Sequence, residues 1–393
     1  MLALAGGVGR VEFNRDVFDR AVREVFARGG FSPDMLADPA VRPLVEETYN
    51  ALNRAVDTAI NTETPPELTA ALRNNAFIFS GFKTYHSLSE VGLALTDPDG
   101  KVKSFEQFSR DVHAIDSKYN VNYLRAEYNH AVRSSQMAVK WNDAVRDGDR
   151  YLLQYRTAGD ERVREAHAAL HNTTLPSSDP FWDSYYPPNG WNCRCTVVQV
   201  LRDDYPQSDS AAAIAAGEAC TSEPKQRIFR YNPGKTLTIM PPKHPYYKVP
   251  DSVKEKVEAL AEERKREEVA QRRKEIKKEM ASHIDVTLSH PDFPLAVSLS
   301  MGAIKEFLNQ PHSHYKEKNE LLLDIANVFR NARYLGINPR YEREGLAASH
   351  IFEIELCGEK SWLVVREYND KRCILYSCCL LYTSPSPRDR SLS

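Results

Sequence analysis

The sequence predicts an α+β multidomain protein. A mainly helical N-terminal region, a small α+β module and a charged helical linker precede a second small α+β domain of two helices plus an antiparallel sheet. Three observations carry that prediction. At 393 residues the chain exceeds what a single core usually organises. Apolar residues recur at helical spacing through residues 1–148 and then give way to short alternating runs. A charge-dense stretch, residues 251–280, separates two segments that each carry apolar patterning of their own.

Composition bounds the function classes. With 27% charged residues, 42% hydrophobic residues and a net charge of -2, the chain reads as soluble and globular, not as disordered or strongly basic, so charge gives no pointer to nucleic acid. No apolar run reaches membrane-spanning length, and residues 1–8 lack both the basic leader and the apolar core of a secretion signal. No membrane partner is expected, and a cytoplasmic origin is. Seven cysteines at irregular spacing do not form a secreted disulfide framework; reduced thiols or a metal site fit better.

In chain order, Asn14 is a natural cap for a helix in which Phe18, Val22, Val25 and Phe26 recur at helical spacing until Gly29-Gly30 stops it. Ser104 and Gln107 form a capping box for a second helix carrying Phe105, Phe108, Val112 and Ile115. A third, residues 120–145, keeps Leu124, Tyr128, Val132 and Val139 near one face. Residues 150–158 then read as a strand, 160–171 as a short helix and 195–200 as a strand. Prolines from Pro224 to Pro250 break any longer element after that. Residues 251–280 interleave acids and bases three and four apart, the pattern of a helix stabilised by its own ion pairs and facing water on most sides, hence a spacer.

Beyond the spacer, residues 284–289 and 295–300 read as strands, 302–310 and 318–336 as helices, and 350–358, 360–368 and 372–377 as three strands joined by tight turns. Phe352, Ile354 and Leu356 alternate with Glu353 and Glu355, as when one sheet face is covered and the other wet. The end, "CLLYTSPSPRDRSLS", cuts across that pattern with a Pro- and Ser-rich tail. It resembles the translated sequencing-adapter tail of metagenomic gene models, so residues 378–393 are expected to be non-native.

The most informative stretch is "PPNGWNCRC", residues 187–195. Cysteines this close do not readily bond to each other. One reading is a tetrahedral zinc site in which His167 and His171, four apart on one helix face, join Cys193 and Cys195. The competing reading is a packed plug, because Cys-x-Cys is shorter than the usual ligand gap and His167 shares its face with Val163 and Leu170.

"YRTAGDERVREAHAALH" followed by "DPFWDSYYPPNGWNCRC" resembles the Mu F-like head morphogenesis family, the minor capsid proteins of tailed phages and prophages. The upstream "YLRAEYNHAV" fits the same pattern, and the resemblance covers about residues 80–200. His171 departs from it, since a small or acidic residue is expected there. The resemblance implies a head-assembly module in which His167, Gly190, Trp191, Cys193, Arg194 and Cys195 close the structural motif. Of these His167, Cys193 and Cys195 remain candidate ligands of a structural zinc. It also implies portal and major capsid proteins as partners, with the chain in the phage head interior and in the host cytoplasm during assembly.

The order of elements in residues 283–377 resembles the phage-associated barnase, EndoU, colicin and RelE-like nucleases, on "SMGAIKEFLNQPHSHY", "LLLDIANVFRNARYLG" and "SWLVVREY". That resemblance implies metal-independent RNA cleavage, with a base at the ribose 2'-hydroxyl, an acid at the leaving oxygen and cations on the phosphorane. Candidates are His314 and His350, with His312, as proton carriers, Lys305 and Arg366 as phosphate contacts, and Tyr376 and Ser377 from the last strand. Each also has a plain reading as a solvated or ion-paired surface residue. No Walker loop or Gly-x-Ser-x-Gly elbow occurs, and "GGVG" at 6–9 follows no strand.

The organisation expected is therefore a helical region over 1–79, a Mu F-like module over 80–247, a charged linker over 248–282, a nuclease-like domain over 283–377 and a tail over 378–393. Three functions follow from the resemblances: a minor capsid protein carrying an RNase effector, a polymorphic toxin whose Mu F-like part serves packaging, or a structural virion protein with an inactive terminal binding domain.

Overall fold

The long amphipathic segments of the N-terminal half become helices α1 (Arg15–Ala27), α2 (Arg42–Asp57), α3 (Pro66–Leu93), α4 (Phe105–Asp116) and α5 (Leu124–Arg146) in the computed structural model, which describes residues 12–284, 286–337 and 345–380. The "GGVG" run and most of the terminal tail lie outside the described residues. Asn14 caps α1 through its side chain, and Ser104 with Gln107 closes the capping box of α4. A π-helical stretch, Ser117–Tyr123, joins α4 to α5. Leu52, Leu72, Phe79, Leu124 and Ala138 belong to one buried cluster shared by α2, α3 and α5. Lys83 of α3 meets Glu127 of α5 inside the protein. Burial pushes the lysine pKa down and the carboxyl up, so each charge is tolerated only because of the other.

Downstream lies a three-stranded antiparallel sheet with strands β1 (Tyr151–Arg156), β2 (Thr174–Leu175) and β3 (Thr196–Leu201) in the order β2-β1-β3. Three helices punctuate it: α6 (Glu165–Ala168), α7 (Phe181–Tyr185) and α8 (Ser210–Cys220). The helix expected over 160–171 is cut to one turn. The Asp160 carboxylate accepts from the Arg162 backbone N–H at 3.1 Å, an Asx turn that competes with helix formation. α8 is a finding of the structure, an Ala-rich helix capped by Asp209.

A short α9 (Pro233–Thr236) packs so closely on α5 that a Cβ on Gly234 would stand 2.3 Å from Trp141. Helix α10 (Asp251–Met280) is more than a spacer. Val253, Val257, Leu260 and Ala261 are buried in the core of the first unit, and Ile276 and Met280 in that of the second. The chain divides between Glu262 and Glu263.

The second unit is built on a six-stranded sheet of β4 (Leu288–His290), β5 (Phe293–Ser298), β6 (Arg333–Ile337), β7 (Leu346–Leu356), β8 (Glu359–Tyr368) and β9 (Cys373–Leu380), in the order β4-β5-β9-β8-β7-β6. It is mixed, since β5 runs parallel to β9. Helices α11 (Met301–Asn309), α12 (Tyr315–Glu320) and α13 (Ile325–Asn331) connect its halves. The helix expected over 318–336 ends early because Arg333 and Tyr334 pair with Glu353 and Phe352 on β7, and Gly336 takes a φ of 106°. Phe352, Ile354 and Leu356 are buried as their alternation requires, while Glu355 is exposed.

Candidate functional site

In the first unit, α6, the Pro-rich loop and α8 converge. Pro187-Pro188 is a cis peptide, and Asn192 adopts a φ of 56°. Asn189, fully buried, accepts from the Tyr155 hydroxyl at 2.9 Å and so ties the loop to β1. Asn129 of α5 donates to Asn192 at 2.9 Å. Arg164 donates to the Trp191 carbonyl at 2.7 Å, and a Cβ on Gly190 would stand 3.0 Å from that guanidinium, so any larger residue there would push the Arg164 tip aside. The Trp191 ring meets His130 and Phe229 edge-on, with centroids 5.1 and 5.2 Å away.

The loop delivers two sulfurs to one imidazole. Cys193 Sγ lies 3.6 Å and Cys195 Sγ 3.5 Å from His167 Nδ1, and all three residues are buried. Burial works against protonation of His167, but hydrogen bonds to Cys193 and Cys220 outweigh it and raise its pKa to about 9. The Cys193 thiol moves the other way, held well below its ordinary value by hydrogen bonding from Cys195 and then by His167. Arg194, on the outward side, forms a bidentate pair with Asp160 and drives that carboxyl down to about 2.

The structure thus brings His167, Gly190, Trp191, Cys193, Arg194 and Cys195 into one place. It leaves His171 out: exposed, its Nδ1 accepts from the Thr157 backbone N–H at 3.1 Å. The Cys2His2 reading with His171 is therefore corrected. Cys220, from the end of α8, approaches the same imidazole and is 2% exposed. Sequence reasoning missed it. The available signal was a lone cysteine closing an Ala-rich stretch with an Asp cap, which the neighbouring prolines obscured.

In the second unit the candidate residues are dispersed. Residues paired directly across antiparallel strands share a face. His350, opposite Val365, therefore lies on one face, and Arg366, opposite Ser349 and Ile374, on the other. His350 is buried against Phe293, with Nδ1 hydrogen-bonded to the Tyr334 hydroxyl at 2.9 Å and Nε2 donating to Glu367 at 3.0 Å. Arg366 stacks over the Tyr376 ring at 3.2 Å, and Ser377 pairs with Val364.

His314 stands 3.6 Å from Glu359 at the β7–β8 turn, six residues before the β8 partner of His350. That is about 20 Å at strand spacing. His312, buried, bonds Ser361 at 3.0 Å, and Lys305 is exposed on α11. His314 and His350 are thus far apart along the sheet and His350 and Arg366 on opposite faces, so these three do not converge on one point.

A buried loop-and-helix knot, held by its own hydrogen bonds, is set beside a three-stranded sheet. Residues 100–198 match the family described as Phage Mu protein F like protein, and this part of the chain is Mu F-like. The chain is 36% identical over 104 residues to capsid assembly protein F of Escherichia phage Mu, covering 26% of this chain and 21% of that one. It is also 46% identical over 44 residues to the Mu-like prophage FluMu F protein of Haemophilus influenzae, covering 11% of each. The match thus spans about a fifth or less of these relatives. Residues 267–376 match the large polyvalent protein-associated domain 3. No solved structure matches the chain. Among the described residues no helix is long and apolar enough to cross a membrane.

Proposed function

We propose that the chain is a phage or prophage minor head protein that takes part in capsid assembly. The observation that carries this reading is the 36% identity to a capsid assembly protein, placed over a module whose polar groups are spent on holding its own loop. Its partners are then portal and major capsid proteins, and its place is the head interior. Co-expression of the full chain with the portal and major capsid proteins of a Mu-like prophage tests it. The chain is expected to co-sediment with assembled heads, and its absence from them overturns the reading.

For the terminal domain the geometry favours a carried binding domain. A second reading, an RNase effector delivered with the particle, is supported only by the order of elements in residues 283–377; the polyvalent-protein domain matched over residues 267–376 carries no nuclease chemistry in its description. Transesterification needs its base, acid and cations within reach of one phosphate. The dispersed histidines and Arg366 do not offer that. Incubating the full chain with total RNA separates the readings: no cleavage is expected, and cleavage abolished by His314→Ala or His350→Ala would establish the effector instead.

A further inference from the structure

We propose that His167, Cys193, Cys195 and Cys220 form a closed, tetrahedral Cys3His zinc site that fastens α6, the 187–195 loop and α8 to one another. The ligand atoms of His167, Cys193 and Cys195 lie within 4.8 Å of one another, and all three residues are buried. The distances fit a metal. With Zn–S of about 2.3 Å, Zn–N of about 2.0 Å and tetrahedral angles, a sulfur and a nitrogen on one zinc stand about 3.5 Å apart. The observed separations are 3.6 and 3.5 Å.

The fourth vertex comes from α8. Cys220 is buried in the same cluster as Cys193, Cys195, Leu170 and Tyr155 and lies near the His167 imidazole, but its sulfur stands outside the 4.8 Å group of the other three donors, so metal binding would have to draw the end of α8 inward to complete the tetrahedron. Thiolates and imidazole are the donors zinc prefers, and a site with four protein ligands keeps no position for substrate, so its work is structural. Binding releases the thiol protons to solvent and leaves one net negative charge on the centre. The surroundings suit that charge: the Arg194 guanidinium lies close enough to act on both loop sulfurs. Three segments far apart in sequence would be pinned by one ion, in a module whose sheet has only three strands.

The test is metal content and cobalt spectroscopy on the full chain purified under reducing conditions. About one zinc per chain is expected, and the cobalt-substituted protein should show tetrahedral ligand-field bands with charge transfer from three thiolates. Cys220→Ser should lose the metal or lower its affinity at least tenfold, Cys220→His should retain it, and His171→Ala should leave stoichiometry unchanged. The spectrum counts thiolates in the unmutated chain, so the proposal stays testable even where a variant fails to fold. Wild-type protein that takes up no zinc, a cobalt spectrum with two thiolates, Cys220→Ser with unchanged occupancy, or a disulfide among the three cysteines would each overturn it.

Discussion

Each unit buries histidines, and His167 of the first and His350 of the second are treated in opposite ways. In the first, His167 receives sulfurs from a loop whose every turn is braced by Asn189, Arg164 and Asn129. In the second, His350 is held between a tyrosine and a glutamate on neighbouring strands, and the other polar candidates stand on the far face or at the far end of the sheet. A convergent set of soft donors points to an ion. Buried imidazoles that each end on a partner of the fold, as His350 does on Tyr334 and Glu367, His290 on the Ala332 carbonyl and His312 on Ser361, point to a fold that has satisfied its own polar atoms.

The largest expected effect tests that second statement. His350→Ala removes the donor to Glu367 and leaves a nearly buried carboxylate short of a partner, with Lys371 at 3.3 Å as its remaining contact. A loss of about 2–3 kcal/mol in urea unfolding of the full chain is expected at neutral pH. The Glu367 pKa is lowered, chiefly by the hydrogen bond from His350. Its stabilisation is therefore present above the unfolded carboxyl value, about 4.3, and is lost as pH falls through the lower folded value. The variant should lack that acid-side loss. A change too small to measure would mean that His350 is not a brace, and would reopen its candidacy as a site residue.

How far each unit could be read in advance follows the same divide. In the first, the spacing of His167 to Cys193 and Cys195 and the turn chemistry between them are local, so the site was legible from residues close in sequence. Cys220 was not, because what brings it there is the docking of α8, a tertiary event with no periodic signal in an alanine-rich run. In the second unit, the alternation of Phe352, Ile354 and Leu356 showed a half-covered sheet. Strand β6 was hidden because "ARYLG" continues a helical pattern and becomes a strand only by pairing with β7. Which face of the sheet holds His350 and which holds Arg366 depends on register, and register was set by partners unknown in advance.

A smaller effect concerns a cation in the second core that no carboxylate among the described residues neutralises at close range. Lys318 is fully buried and donates to the carbonyls of Phe307 and Gln310, the latter at 2.8 Å, closing the end of α11. Burial lowers its pKa to about 8. A lysine with a depressed folded value binds fewer protons folded than unfolded between pH 8 and about 10.4, so its burial penalty is full below pH 8 and is relieved as pH rises across that window. Lys318→Met should change stability by about 1 kcal/mol or less at pH 7, since two lost hydrogen bonds offset the relieved charge. The difference between wild type and variant should shift in favour of the wild type from pH 8 to 10. Parallel pH profiles would show that the ammonium is not paying a burial cost, and that both units house polar groups equally well.

The smallest expected effect returns to the first unit. Asp160 and Arg194 make a bidentate pair at the rim of the thiol pocket, but both side chains are substantially exposed, so water screens the attraction. The Asp160 pKa is near 2, lowered first by the Arg194 hydrogen bond, and its contribution is lost only as pH falls from about 3.9 through that value. Asp160→Asn should leave the unfolding midpoint at neutral pH unchanged within error and should keep the full complement of zinc. A sharp fall in zinc affinity would show that the orientation of Arg194, and not only the four donors, balances the charge of the centre. The contrast between the two units would then rest on long-range charge as much as on convergence of ligands.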